Sequence, residues 1–205
     1  MRSKWPVVKL ADLCTYRQER TSVDELTTSN YISTANMIPN RGGIKTAENL
    51  PSSATTNRYY AGDVLISNIR PYFKKAWLAT ADGGCSSDVL VMQAKKDVDP
   101  GYLYYLLASD TFFAYMTATS KGTKMPRGDK GAIMNWEAHK PPLSTQQAIA
   151  RTLSCLDAKI EVNKKIKENL EQQAQAIFKS WFIDFEPFQD GEFVEAAAES
   201  YEVSE

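Results

Sequence analysis

From Ser144 to Phe182 the chain runs 39 residues without a glycine or a proline. Pro141 and Pro142 stand just before it, and Ser144-Thr145 gives a cap-like entry. Inside this run Gln146, Ile149, Leu153, Leu156, Ile160, Asn163, Lys167, Leu170, Ala174, Ile177 and Trp181 recur at alternating spacings of three and four, and eight of the eleven are apolar. That is an a/d seam sustained over five heptads, which predicts one long α-helix. At about 1.5 Å per residue it is roughly 58 Å long. An isolated amphipathic helix needs a partner for its stripe, and no second stretch of the sequence repeats the pattern. A domain made of residues 1–140 is only about 30 Å across, so the helix overhangs it. Self-association through a coiled coil with a second copy is the expectation. If the two copies run antiparallel, Asn163, at the middle of the seam, faces its own copy, and a polar seam residue fixes register at a cost in stability.

Residues 1–140 read differently. Short apolar runs at 62–69, 75–80, 87–94 and 31–38 have the β-branched content and turn-like flanks of strands. Residues 42–60 read as loop, and Gly42-Gly43 and Gly83-Gly84 as turns. Asp99-Pro100 starts a helix carrying Leu103, Leu106 and Leu107, and a second short helix begins at Asp110 or Thr111 with Phe112, Phe113 and Met116. "KGTKMPRGDKG" (121–131) breaks it as a mobile basic loop. The fold class is therefore α+β. Three parts are expected: a globular domain at 1–140, the helix at 141–186, and an acidic, disordered tail at 187–205.

The net charge of −1 conceals two unlike halves. Residues 1–140 hold 18 basic and 13 acidic residues, and residues 141–205 hold 6 and 12. Cys14, Cys85 and Cys155 form no CxxC pair, which argues for a reducing cytoplasm and against a disulfide framework or a zinc site. No apolar run is long enough to span a bilayer, and the N-terminus has no apolar signal core.

No catalytic constellation stands out. The one histidine, His139, reads as structural or exposed, there is no P-loop, and Asp63 and Asp88 read as isolated acids without a metal role. Binding signals are stronger. "ISNIRPYFKKAWLA" (66–79) offers Asn68, Arg70, Tyr72, Lys74 and Lys75, and "SKGTKMPRGDKG" (120–131) offers Lys121, Thr123, Lys124, Arg127 and Lys130. Arg and Asn suit bidentate contacts to base edges, and Lys and Thr suit phosphate. Each loop alone also reads as ordinary solvated surface.

Together "ISNIRPYFKKAWLA", "GTKMPRGDKG", "PPLSTQQAIARTLSCLDAKI" and "AIFKSWFIDFEPF" resemble the specificity subunit of type I restriction-modification systems, over about Trp5 to Phe188. "WPVVKLADLC" is similar to the start of that family's target recognition domain. The usual member has two such domains and two antiparallel helices, so the resemblance implies a half subunit that pairs with a copy of itself. It implies double-stranded DNA as ligand, read as a bipartite palindrome. It also implies methyltransferase subunits that carry S-adenosylmethionine and methylate adenine, and a restriction subunit that carries ATP and magnesium. No cofactor is expected on this chain, and no catalysis. The helix length caps the separation of two reading heads at roughly 17 base pairs. For dimerisation the seam residues are Ile149, Leu153, Leu156, Ile160, Asn163, Leu170, Ile177 and Trp181. The competing readings are a coiled-coil adaptor with incidental basic loops and a free-standing dimeric DNA-binding regulator.

Overall fold

In the computed structural model, residues 5–188 are described. They divide into two units, one ending at Ser154 and one beginning at Cys155. The acidic tail expected from residue 187 falls, beyond Phe188, outside the described residues.

The first unit opens with β1 (Val7–Lys9), α1 (Leu10–Leu13), β2 (Cys14–Tyr16), β3 (Arg20–Ser22) and β4 (Tyr31–Ile32). It continues with β5 (Thr55–Tyr59), β6 (Val64–Ser67), β7 (Ala76–Leu78), β8 (Gly83–Cys85) and β9 (Val89–Ala94). Then come α2 (Pro100–Leu107), α3 (Asp110–Ala118), α4 (Lys130–Met134) and β10 (Glu137–His139), before α5 (Leu143–Phe178) begins. The class is mixed α+β, as the sequence predicts.

The central sheet has the order β2-β9-β6-β7 and is antiparallel throughout. Its strand β6, Val-Leu-Ile-Ser, is buried at every position, because both faces of the sheet are covered. Val64 and Ile66 face a core with Leu103, Leu107, Phe112, Phe113 and Met116 of α2 and α3. Leu65, between them, faces the other way, into a core with Ile32, Tyr59, Cys85 and Val91. That alternation follows from the two-residue period of a strand. Each large side chain fully buried in this way contributes about 1.5–3 kcal/mol.

The second core is closed by the sheet β3-β5-β8-β4, in which β4 pairs parallel with β8. Two elements here depart from the sequence reading. Thr55–Tyr59, read as loop, is a strand; its side chains are polar, but Thr56 and Tyr59 are buried and the Thr56 hydroxyl donates to the Cys85 carbonyl at 2.5 Å. Gly83-Gly84, read as a turn, is a buried strand segment. Glycine is needed there for space: a Cβ on Gly83 would run into the Asn30 carbonyl and the Tyr59 hydroxyl. In the run 31–38 only Tyr31–Ile32 is strand. The chain then turns around the buried Asn36, whose amide donates to the carbonyls of Tyr31 (2.9 Å) and Lys45 (3.0 Å).

The paired helices follow the predicted starts. Asp99 caps α2 by accepting from the Tyr102 amide at 2.9 Å, with Pro100 in the first turn. Ser109 caps α3 by accepting from the Phe112 amide at 3.2 Å. Strand β1 pairs with β10, Val7 opposite His139. Asp63, taken as an isolated acid, is buried and chelates Arg17 through two hydrogen bonds, 2.6 and 3.0 Å long.

The mount of α5 rests on one side chain. Gln146 is fully buried: its Oε1 accepts from the Asp99 amide at 2.9 Å, and its Nε2 donates to the carbonyls of Pro141 (2.9 Å) and Asp97 (3.4 Å). One turn on, Ala150 is buried, and a Cβ on Gly101 of α2 would lie 3.1 Å from the Ala150 methyl.

In the second unit α5 runs on to Phe178 and ends in a π-type turn, Lys179–Ile183, closed by the Asp184 amide donating to the Lys179 carbonyl at 2.9 Å. Among the described residues no helix is long and apolar enough to cross a membrane.

Candidate nucleic-acid interface

The two basic segments predicted as separate loops form one structure. Residues 121–127 fold back on themselves, with Lys121 and Arg127 exchanging two backbone hydrogen bonds of 2.9 Å. The stretch after β6 zips onto this hairpin. The Arg70 amide donates to the Pro126 carbonyl at 2.8 Å, the Gly128 amide donates to the Asn68 carbonyl at 3.1 Å, and Ile69 bridges to Arg127. Gly128 is what lets the hairpin rejoin the domain: a Cβ there would lie 2.6 Å from the Met116 methyl and 2.9 Å from Asn68 Oδ1.

A third segment, not expected from the sequence, clamps the far side. The Asn40 amide donates to the Phe73 carbonyl and the Arg41 amide to the Lys74 carbonyl, both at 2.9 Å. Between the two clamps Pro71–Phe73 forms a 3₁₀ turn, with Arg70 (φ 50°) and Lys74 (φ 51°) in the left-handed region at its ends. Asn40 (φ 55°) and Arg41 (φ 61°) are left-handed as well. Each such residue costs of order 1–3 kcal/mol, and the conformation persists because the backbone hydrogen bonds over-determine it.

The side chains fall into three groups. Asn68 is only 8% exposed, and among the described residues its Oδ1 and the Arg70 Nε have no hydrogen-bond partner. Several cations are already engaged. Lys74 Nζ binds Asp110 Oδ1 at 2.8 Å and shares it with Arg41, and Lys75 Nζ donates to the Thr34 carbonyl at 2.6 Å. Lys121 Nζ binds Asp129 Oδ2 at 2.5 Å, and Arg127 Nη2 binds Asp88 Oδ1 at 3.0 Å. Lys130 places its amine 5.8 Å from the Tyr16 ring centre. At the surface stand Tyr72 (48% exposed), Phe73 (39%) and, at the hairpin tip, Thr123, Lys124 and Met125.

These pairs leave their mark on ionisation. The Lys74 and Arg41 cations hold the Asp110 carboxyl at about 2. Burial, then the charge of Lys45, pushes the Lys75 amine down. The joined segments 68–75 and 121–130 hold seven cations (Arg70, Lys74, Lys75, Lys121, Lys124, Arg127, Lys130) with Asp129, and Arg41, Asp88 and Asp110 pair into them. Sequence reading missed Arg41 and the pairing acids, because nothing local places residue 41 beside residue 74.

Asp129 ties the hairpin down. It accepts from the amides of Gly131 (2.9 Å) and Ala132 (3.0 Å), capping α4, while it pairs with Lys121. Lys121 first, then these amides, hold its carboxyl at about 2. A depressed carboxyl stabilises the fold above its ordinary value near 4, and that stabilisation is lost as pH falls towards about 2. Asp129→Ala is therefore expected to melt about 3 °C below the parent at pH 7. The gap should close between pH 4 and 2; a gap of constant size in calorimetry over that range contradicts this account.

On α5 the seam residues have two environments. Gln146 is buried and Ile149 and Leu153 are half-buried within the first unit. In the second unit Leu156, Ile160, Asn163, Leu170, Ile177 and Trp181 are all exposed, and so is Ile166. Asn163, Ile166, Lys167, Leu170, Glu171 and Ala174 line one shallow concavity there. Ile166 lies beside Lys167 and gives the stripe an apolar residue at a turn where the seam count found only a charge.

Among the described residues no cluster of three or more His, Cys, Asp or Glu could hold a metal ion. Cys14, Cys85 and Cys155 are all free thiols.

Comparison with known proteins gives a consistent family. The chain is similar to the HindI type I restriction enzyme specificity subunit of Haemophilus influenzae, 30% identical over 194 residues, covering 90% of this chain and 42% of that one. It is 42% identical over 100 residues to the MjaIX specificity subunit of Methanocaldococcus jannaschii, covering 49% of this chain and 23% of that one. Among solved structures, the HsdS subunit of Thermoanaerobacter tengcongensis superposes with a TM-score of 0.63 at 21% identity, over 88% of this chain and 49% of that one. The S subunit of M. genitalium superposes with a TM-score of 0.61 at 17% identity, over 89% and 47%. The chain thus spans less than half the length of these relatives. The profile described as "Type I restriction modification DNA specificity domain" matches residues 2–172, most of the sequence, and on that match the chain belongs to the family of type I restriction-modification DNA specificity domains.

Proposed function

We propose that this chain is a non-catalytic DNA-reading subunit of a type I restriction-modification complex and that it works as a pair of copies. The observation that carries the pairing is the exposed apolar stripe Leu156, Ile160, Ile166, Leu170, Ile177 and Trp181, which one helix leaves uncovered. In the proposed pair two such stripes lie antiparallel, with Asn163 near the two-fold axis. Each first unit then reads one half of an interrupted, palindromic target through the surface built from residues 68–75 and 121–130. The seven Lys or Arg in these two segments, against the single acid Asp129, support a polyanionic ligand.

Methyltransferase subunits, with S-adenosylmethionine, and a restriction subunit, with ATP and magnesium, are the proposed partners and supply the chemistry. The cytoplasm, where such DNA is found, is the proposed location. Light scattering of the full chain is expected to give twice its 23.0 kDa. A monomer at tens of micromolar rejects the pairing. For the ligand, Lys124→Ala is expected to weaken duplex DNA binding by the assembled complex and to lower the salt slope by about one. An unchanged affinity and slope rejects that surface as the contact.

A further inference from the structure

Building on the DNA-reading role proposed above, we infer that Tyr72 and Phe73 form a preformed aromatic wedge that enters the DNA base stack and unstacks a base step. Two neighbouring aromatic side chains are exposed at the centre of a basic surface, 48% and 39%, with ring centroids 4.8 Å apart. Apolar side chains in such a place are exposed at a cost in solvation. Burial inside the first unit is not open to them, because the turn that carries them is held from both sides. Arg70 is tied to Pro126, and Phe73 and Lys74 are tied to Asn40 and Arg41.

The turn is bounded by two left-handed non-glycine residues and begins with Pro71. Its conformation is fixed before any ligand arrives, so little ordering entropy remains to be lost on insertion. The wedge itself has no formal charge, while the nearest lysines, Lys74 and Lys75, are already held by Asp110 and the Thr34 carbonyl. Apart from Arg70, whose Nε is buried at the start of the turn, the turn is therefore poorly equipped to contact phosphate, and its two exposed rings are well placed to stack. Phosphate contact falls to the hairpin, where Lys124 makes no ion pair among the described residues and Arg127, though paired with Asp88, is more exposed than Lys74. The charge around the pair favours DNA over a protein partner: residues 68–75 and 121–131 together hold seven Lys or Arg and one acid. Side chains that wedge between base steps in other proteins have this combination of apolar tip and basic surround.

The test uses the full chain assembled with a methyltransferase subunit of its own system, and duplexes that the wild-type complex selects from a random-sequence pool. Permanganate, which oxidises unstacked thymines, is the structural probe. With Tyr72→Ala/Phe73→Ala, affinity is expected to fall on the order of 30-fold, permanganate-reactive thymines to disappear, and the salt slope to stay at the parent's value. The milder Tyr72→Phe/Phe73→Leu is expected to keep most of both signals, and matching melting curves establish that either variant folds. Full affinity and full permanganate reactivity in the alanine variant overturn the wedge. A lost affinity with a reduced salt slope also overturns it, because the pair would then be acting at phosphate. If Lys124→Ala and the wedge variant both leave binding untouched, the surface itself is wrong; if the wild-type complex selects no duplex, the DNA-reading role falls with it.

Discussion

Gln146→Leu is expected to destabilise the first unit by about 3–5 kcal/mol, although leucine occupies a similar volume. Nothing is lost in volume. What is lost is the partner of three buried backbone groups: the Asp99 amide and the carbonyls of Pro141 and Asp97. A buried group left without a partner keeps its full desolvation penalty, and that asymmetry makes this change worse than a surface truncation. The Asp99 amide also begins α2, so its orphaning weakens a second helix start. Chemical denaturation of the full chain should show a lower midpoint with an unchanged slope. A loss below 1 kcal/mol would mean that water or a shift of α5 satisfies the three groups.

Gly83→Ala is expected to have a comparable effect by the opposite route, overpacking, at about 2–4 kcal/mol. Gly83 stands directly opposite Tyr59 in the β5–β8 pair. A methyl there would sit 2.5 Å from the Tyr59 hydroxyl and 2.7 Å from its Cζ, and would strike the Asn30 carbonyl as well. Tyr59 is fully buried, donates to that same carbonyl at 2.9 Å and packs edge-on against Trp77, with ring centroids 5.9 Å apart. It has nowhere to go, so the second core must open. Near-ultraviolet circular dichroism, which senses the fixed Tyr59–Trp77 pair, is the measurement. A spectrum and a melting point equal to the parent's would show that the sheet absorbs the methyl by sliding.

These two residues also show where sequence reading reaches its limit. The long helix, the starts at Asp99-Pro100 and at Asp110, and the apolar strands around Val64, Ala76 and Val89 were legible because each signal is local: a period, a helix-start residue or a bounded apolar run. Gly83-Gly84 looks like a turn because glycine in sequence has one commonest use, while its use here is to make room for a tyrosine 24 positions earlier in the chain. Gln146 fits the heptad count and looks like a seam residue. Its burial depends on Asp97, Asp99 and Pro141, and no periodicity connects those to it. The basic surface lies between these cases. Both of its loops could be named from their Lys, Arg, Gly and Pro content, but the hydrogen bonds that join Arg70 to Pro126 and Asn68 to Gly128 span more than fifty residues. Likewise, the acids that engage Lys74, Lys121 and Arg127 come from α3, the cap of α4 and the lead-in to β9.

The pairing of Val7 with His139 sets a timetable for biosynthesis. Among the described residues strand β1 pairs with β10 alone, and the Leu10 amide donates to the Trp136 carbonyl at 2.8 Å. A ribosome must therefore deliver the whole intervening chain before the first strand can settle. Contacts that join such distant points are slow to form and leave early segments waiting. The strand pair, and then the Gln146 and Ala150 contacts of the first turns of α5, complete the first unit late, so the exposed apolar stripe emerges only behind a domain that has been given what it needs to close.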